Sequence, residues 1–359
     1  MMPEADAATA IAFVQIDAQT FAFVEAPLVP AARPVPGRAA FLAPRFSLEG
    51  GPWWLTARGD EIRRVSVGEW ERLFPATPAL HTSPRWLAAE QRRFREGFET
   101  LQARLADGRL RKGVPITRTR ACLDAGQAEA LFRRLAARVP ALPKGLVAYG
   151  LFLPGDRSAG PEFLIGATPE ILFDIEEEGR RVRTWAVAGT RRAEPGAGRA
   201  LAESAKERAE HWEVVDDLLA QARRVGSPVA GATIVRRFGS LLHLVTEIDV
   251  RPANLADFED LVRALHPTPA LGVSPRGSEG DSWLRGIDPG GERRRFGAPF
   301  GIRWPSGDGR AAVAIRGLQY FQGHLVIWAG CGVVASSDYA AEWAEALDKL
   351  ESVRTLWGI

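Results

Sequence analysis

This sequence predicts an α+β fold in two lobes, with large antiparallel β-sheets flanked by helices. Three observations predict it. Apolar or alternating runs of strand length crowd together between residues 145 and 250 and again after residue 311. Helical spacings fall between these crowds instead of alternating with single strands. The links between successive strands are short, which suits antiparallel neighbours and not the crossovers of a parallel sheet.

The elements follow in order. Residues 1 to about 60 are rich in Ala and Pro, with short strand-like runs at 12–16 and 21–24, and the stretch from Pro27 to Pro36 reads as a loop. Residues 86–107 carry Trp86, Phe94, Phe98, Leu101 and Leu105 at helical spacing, so a helix is expected to end near Gly108. A second helix is expected over 127–138, closed by Pro140. Strands are expected at 145–153, 163–175, 181–188, 232–238, 241–250, 311–321 and 324–334, the last two joined through a Gln322-Gly323 hairpin turn. Helices are expected at about 198–224, 254–265 and 338–357. The Gly-rich stretch 277–293 reads as a mobile lid. No repeat, low-complexity tract or linker interrupts the chain. Residues 1–100 therefore read as the N-terminal part, and residues 101–359 as the main body, of one intertwined domain.

Composition narrows the function. The chain has 359 residues, 46% hydrophobic and 25% charged, with a net charge of +2. That balance gives no field to attract nucleic acid or an anionic membrane, and the run Arg293-Arg294-Arg295 reads as a solvated loop. Cys122 and Cys331 are the only cysteines, too few for a disulfide framework, and read as reduced thiols of a cytoplasmic protein. No apolar run approaches the roughly 18 residues of a membrane span. Met1 to Ala10 has no basic segment of the kind that opens a secretory signal.

Two helices carry acidic stripes. Glu203, Glu207, Glu210 and Asp217 fall at offsets that share one face of the 198–224 helix, with Ala205, Trp212, Val215 and Leu219 as a separate apolar set. Asp338, Glu342, Glu345 and Lys349 share a face of the last helix, whose apolar side is Trp343, Leu347, Leu350, Val353 and Trp357. Each stripe taken alone reads as a solvated face, where pairs with Lys206 or Arg208 contribute little. Two carboxylates from different helices also suit Mg²⁺, which takes few protein ligands and keeps positions for substrate oxygens.

Four motifs resolve the alternatives: Lys206-Glu207-Arg208-Ala209-Glu210-His211; Ala188-Gly189-Thr190-Arg191; His266-Pro267-Thr268-Pro269-Ala270; and Ser337-Asp338 followed by Glu342, Glu345 and Lys349. In this order and spacing the chain resembles the chorismate-utilising enzymes, among them anthranilate synthase component I, aminodeoxychorismate synthase component I, isochorismate synthase and salicylate synthase. The resemblance runs from about residue 110 to the C-terminus and implies the two-lobed fold of anthranilate synthase component I. It implies Mg²⁺ as cofactor, with Glu210 and Glu345 as ligands and Glu207 and Glu342 as outer acids one turn away. It implies Arg316 on the enolpyruvyl carboxylate, where a planar fork suits a carboxylate. It further implies Lys349 near the ring carboxylate, His243 near the ring, and the glycines of Gly330-Cys331-Gly332 presenting backbone N–H groups to an anion. Ala188, Gly189, Thr190 and Ala270 complete the substrate wall.

For the chemistry, Thr168-Pro169-Glu170 resembles the segment whose glutamate protonates the departing C4 hydroxyl, with burial behind Pro169 and Ile171 raising its pKa. Lys112 resembles the lysine that activates water in isochorismate and salicylate synthases, one residue out of register. Ala188 stands where aminodeoxychorismate synthases carry lysine, and Pro269-Ala270 is similar to isochorismate synthase. The resemblance thus implies an isomerase converting chorismate to isochorismate, serving menaquinone or siderophore synthesis. It implies a monomer or homodimer with no obligatory glutaminase partner. A salicylate- or anthranilate-type synthase and a catalytically altered chorismate-binding protein are the alternatives. The last is motivated by the shifted Lys112 and by Phe296 where the family carries tyrosine.

Overall fold

The computed structural model describes residues 9–76, 84–155 and 160–359. Most of the Met1 to Ala10 segment read above lies outside them. Every strand pairing is antiparallel among these residues. An eight-stranded sheet runs Arg63–Ser66, Thr20–Ala26, Ala10–Gln15, Val147–Leu153, Glu162–Thr168, Gly317–Phe321, His324–Gly330 and Ile116–Cys122. A ten-stranded sheet runs Gly226–Ala230, Leu241–Pro252, Arg181–Arg192, Ile171–Glu176, Gly309–Val313, Pro299–Arg303, Ala40–Leu42, Trp54–Ala57 and Leu28–Ala31, with Ile234–Phe238 also on Leu241–Pro252. Strands from the first 60 residues enter both sheets, and Ala10–Gln15 lies between Thr20–Ala26 and Val147–Leu153.

Several expected elements are cut where the chain changes sheet. The single strand expected over 163–175 is two, Glu162–Thr168 and Ile171–Glu176, and the interruption at Pro169-Glu170 carries the chain from the smaller sheet to the larger. Proline cannot donate in a ladder, so a break there is physically natural. The strand expected over 311–321 is likewise Gly309–Val313 and Gly317–Phe321, with Ala314-Ile315-Arg316 between the sheets and Arg316 at φ 56°. Apolar patterning alone does not report a change of partner sheet. The two crossings lie side by side because Gly166 pairs with Gly317.

Other corrections are local. The helix expected at 198–224 is Ala197–Glu203 and Ala205–Ala222, separated by Ser204, whose hydroxyl caps the second by accepting from Glu207 N–H. The helix near 254 starts at Phe258, capped by Asp257, and the helix expected from 86 starts at Gln91. Most of the expected lid is the helix Ser278–Ile287, anchored by buried Trp283, whose indole donates to Thr100 Oγ1 at 3.2 Å. Leu28–Ala31, within the expected loop, is the outermost strand of the larger sheet, where Pro30 is tolerated. The Gln322-Gly323 turn has positive φ at both residues, as a two-residue hairpin with the twist of its strands requires.

The smaller sheet packs one face on the helices Ala125–Ala137 and Tyr339–Trp357. That core is centred on Phe13, Trp70, Phe132, Phe163 and Trp357. Burying each such aromatic contributes on the order of 2–3 kcal/mol. The larger sheet packs against Ala205–Ala222 and Phe258–Leu265 through Val214, Val215, Leu218 and Leu261. Trp212, expected on this apolar side, is 47% exposed. No helix among the described residues is long and apolar enough to cross a membrane.

Candidate active site

A cavity opens at the seam where both crossings lie. Its wall includes Glu170 from the first crossing, Arg316 from the second, Ala188, Gly189, Thr190 and His243 from the larger sheet, Gly330 and Gly332 after the smaller one, Ala270, and Glu210 and Lys349 from the two acidic helices. It spans about 660 Å³ of non-atom space, including its opening to solvent. Lys112, Cys331, Glu207, Glu342 and Glu345 are not on the wall. Lys112 contacts Glu210 of the wall, and Glu345 contacts Lys349 of the wall.

Arg181–Arg192 is an unbroken strand to Arg192, but its pairing with Leu241–Pro252 slips by one residue between Ala188 and Thr190. The bulge is set by Gly189 at φ 71°, a conformation glycine adopts without strain. Two side chains hold it. Glu207 accepts from Thr190 N–H at 2.9 Å, and His243 Nδ1 lies 3.1 Å from the Gly189 carbonyl. A carbonyl only accepts, so Nδ1 carries the proton and Nε2 is left to accept from Arg316 Nη2, 3.4 Å away. Burial, reinforced by the Arg316 and Lys349 charges, holds the imidazole pKa well below its ordinary value, so it is neutral.

Arg316 Nη1 donates to Ser352 Oγ at 3.0 Å, and Ser352 Oγ donates to the Lys349 carbonyl at 2.7 Å. Burial draws the guanidinium down to about 10 against the opposing pull of Glu345, which leaves it cationic at neutral pH. The backbone beside it is pinned as well. Tyr149 hydroxyl donates to the Ile315 carbonyl at 2.8 Å, and the Trp357 indole donates to the Arg316 carbonyl at 3.3 Å. These donors secure an arginine in a left-handed conformation that costs a non-glycine residue about 1 kcal/mol.

Glu170 is 4% exposed. Burial raises its pKa to about 7, opposed by a 3.0 Å hydrogen bond from Thr268 Oγ1 and by the charges of Lys112 and Lys349. It is the one carboxyl on the cavity wall poised to be protonated near neutrality, the property of a general acid.

The acids of the two helices converge with lysines among them. Glu210 Oε1 lies 3.1 Å from Lys112 Nζ, without hydrogen-bond alignment. Glu342 Oε1 accepts from Lys206 at 2.6 Å, and Glu345 Oε1 lies 2.8 Å from Lys349 Nζ, which also donates to the Gly330 carbonyl. Burial raises the pKa of Glu207, and the charges of Glu210 and Glu345 raise it further, so the carboxylates repel one another across the two helices. Glu342 Oε2 is buried with no partner among the described residues. A divalent cation would relieve both features, and all-oxygen donors suit Mg²⁺. No three acidic, histidine or cysteine side chains form a ready cage among the described residues. A Mg²⁺ ion held by one or two carboxylates plus substrate oxygens needs no such cage.

Three expected stripe members stand apart. Glu203 belongs to the preceding helix and pairs with Arg199, Asp217 pairs with Arg276, and Asp338 caps the last helix. The Cys331 thiol points away from the cavity and donates to the Glu342 carbonyl at 3.3 Å. The sequence reading missed Thr268 as the partner of Glu170, Ser352 as the partner of Arg316, and Trp328 on the wall, where it stacks near-parallel on Phe296 with centroids 6.1 Å apart. Alternation along His324–Gly330 puts Trp328 on the same face as Gly330 and was the available signal. Ser352 had none.

This chain belongs to the chorismate binding enzyme family, which matches residues 60–355. Anthranilate synthase component 1 of Streptomyces coelicolor is 32% identical over 294 residues, which are 79% of this chain and 55% of that protein. Isochorismate synthase EntC of Escherichia coli K12 is 28% identical over 302 residues, 80% of this chain and 73% of that protein. The solved structure of MenF, the menaquinone-specific isochorismate synthase of Escherichia coli, shares the fold with a TM-score of 0.76 at 19% identity, covering 98% of this chain and 90% of that one. The matched region spans about half the length of the first relatives, 55% and 42%.

Proposed function

We propose that the protein converts chorismate to isochorismate with Mg²⁺. The observation that carries the reading is the buried Glu170, with its pKa at about 7, on one wall with Arg316, Lys349 and Glu210. This arrangement sets a proton donor beside two cations suited to a dicarboxylate and an acid suited to a metal.

Arg316, oriented by His243 and Ser352, receives the side-chain carboxylate. Glu210 and Glu345, backed by Glu207 and Glu342, would hold Mg²⁺, which when bound supplies charge neutralisation for the ring carboxylate. Glu170 gives its proton to the C4 oxygen, which leaves as water while the double bonds shift. A second water attacks C2, and Lys112 takes the proton it releases. Ala270 offers no polar group to bind ammonia, consistent with water as nucleophile.

The 32% identity to an anthranilate synthase component keeps an ammonia-dependent reaction as the second reading. Incubating purified protein with chorismate and Mg²⁺, with and without ammonium, and identifying products by mass decides between them. Isochorismate in both mixtures supports the proposal. Anthranilate with ammonium alone, salicylate, or no product overturns it.

A further inference from the structure

A second and larger cavity adjoins the first, about 1310 Å³ of non-atom space including its opening. Pro169 and Arg316 line both cavities and form the partition between them. Ser352, which accepts from Arg316 Nη1, belongs to the outer wall, while His243, held against Nη2, belongs to the inner one. The guanidinium is thus gripped from both rooms. The charged residues of the outer wall are Lys144, Arg237 and Arg316, and the wall has no carboxylate. Lys144 and Arg237 are both exposed. Arg237 is steadied by donating from Nε to the Gly239 carbonyl at 2.9 Å. Neither is in an ion pair among the described residues, whereas about half of the described arginines are, Arg118, Arg276 and Arg310 among them.

We infer that this outer cavity is an anion vestibule. A dicarboxylate is captured at Lys144 and Arg237, next to the Pro169–Arg316 partition, and its concentration is thereby raised beside the inner site. The inference rests on the substrate reading above for the identity of the anion. Its physical basis is general: a concave wall of one charge sign concentrates ions of the opposite sign and speeds their arrival, and salt weakens the effect. The net charge of only +2 makes this a local device, since the whole molecule supplies almost no field.

The test is stopped-flow tryptophan fluorescence, with Trp328 on the inner wall as reporter. The full chain and the double variant Lys144→Gln/Arg237→Gln are compared with chorismate and with isophthalate, an aromatic dicarboxylate, at several ionic strengths. Expected for the variant is an association rate about 3- to 10-fold slower at low ionic strength, an unchanged dissociation rate, a flatter salt dependence, and an unchanged kcat. Equal association rates in the two proteins overturn the vestibule and leave the substrate reading standing. A charge-dependent isophthalate signal without a chorismate signal keeps the vestibule and overturns the substrate reading. No signal with either overturns both.

Discussion

Lys112 Nζ and Glu210 Oε1 stand 3.1 Å apart behind Gly332, and a Cβ at Gly332 would lie 2.1 Å from that oxygen and 2.7 Å from Lys112 Cε. The lysine is fully buried and has no free space to retreat into, so the displacement falls on Glu210, which lines the cavity. A glycine here is a requirement of close packing, since its backbone dihedrals are ordinary.

Gly332→Ala is therefore expected to displace this pair. Turnover should drop about 100-fold, as when a reacting group moves by about 1 Å, with a stability cost of about 1–3 kcal/mol from overpacking. Steady-state kinetics and calorimetry measure the two. Wild-type kcat in this variant would show that the pair plays no part in turnover.

Glu170→Gln separates chemistry from binding. Loss of a positioned acid is expected to lower kcat by about 10²- to 10⁴-fold, with chorismate affinity changed little. In the unmodified protein the acid must be protonated, so kcat should fall as pH rises through about 7. Thr268→Val removes a hydrogen bond that favours the ionised carboxylate, so the fall should move to higher pH.

The same carboxyl makes a stability prediction of opposite sign to its role. Its pKa is raised above the ordinary 4.5. The destabilisation is therefore absent below about pH 4, where both states are protonated, and complete above about pH 7. The gap corresponds to about 3 kcal/mol. Glu170→Gln should unfold at higher denaturant concentration than the parent at pH 8 and at nearly the same concentration at pH 4. Equal stability at pH 8 would contradict a charge desolvated at this position.

Glu210→Gln and Glu345→Gln each remove one anion from a cluster that repels itself. Mg²⁺-dependent chorismate binding should weaken at least tenfold in either, and chelation of the parent protein with EDTA should reproduce the loss reversibly. Calorimetric titration with Mg²⁺, with and without chorismate, reads this directly. Chorismate binding that is indifferent to EDTA would remove the metal from the proposal.

Ser352→Ala frees one arm of Arg316. The expected result is a KM about tenfold or more higher with kcat within about twofold, because a hydrogen bond from a charged group contributes about 1.5–3 kcal/mol. Ser352→Thr, which keeps the hydroxyl, should restore KM.

Much of this protein could be read from its sequence, because periodicity and short motifs are local. The helix at 338–357, the hairpin turn at Gln322-Gly323 and the segregation of strands from helices all follow from spacing and turn chemistry. The resemblance to the chorismate-utilising enzymes, motif by motif, pointed to Glu170, Arg316 and Lys349, and the fold brings these three to one cavity wall. Tertiary structure alone decided where apparently continuous strands change sheet, at Pro169-Glu170 and at 314–316, and those two crossings make the cavity. It also decided which stripe acids matter: Ser204 ends one helix and starts another, which removes Glu203, while Arg276 claims Asp217. The physical reason is that hydrophobic pattern reports burial without naming the partner. A carboxylate's role depends on which cation, amide or void the rest of the chain brings to it.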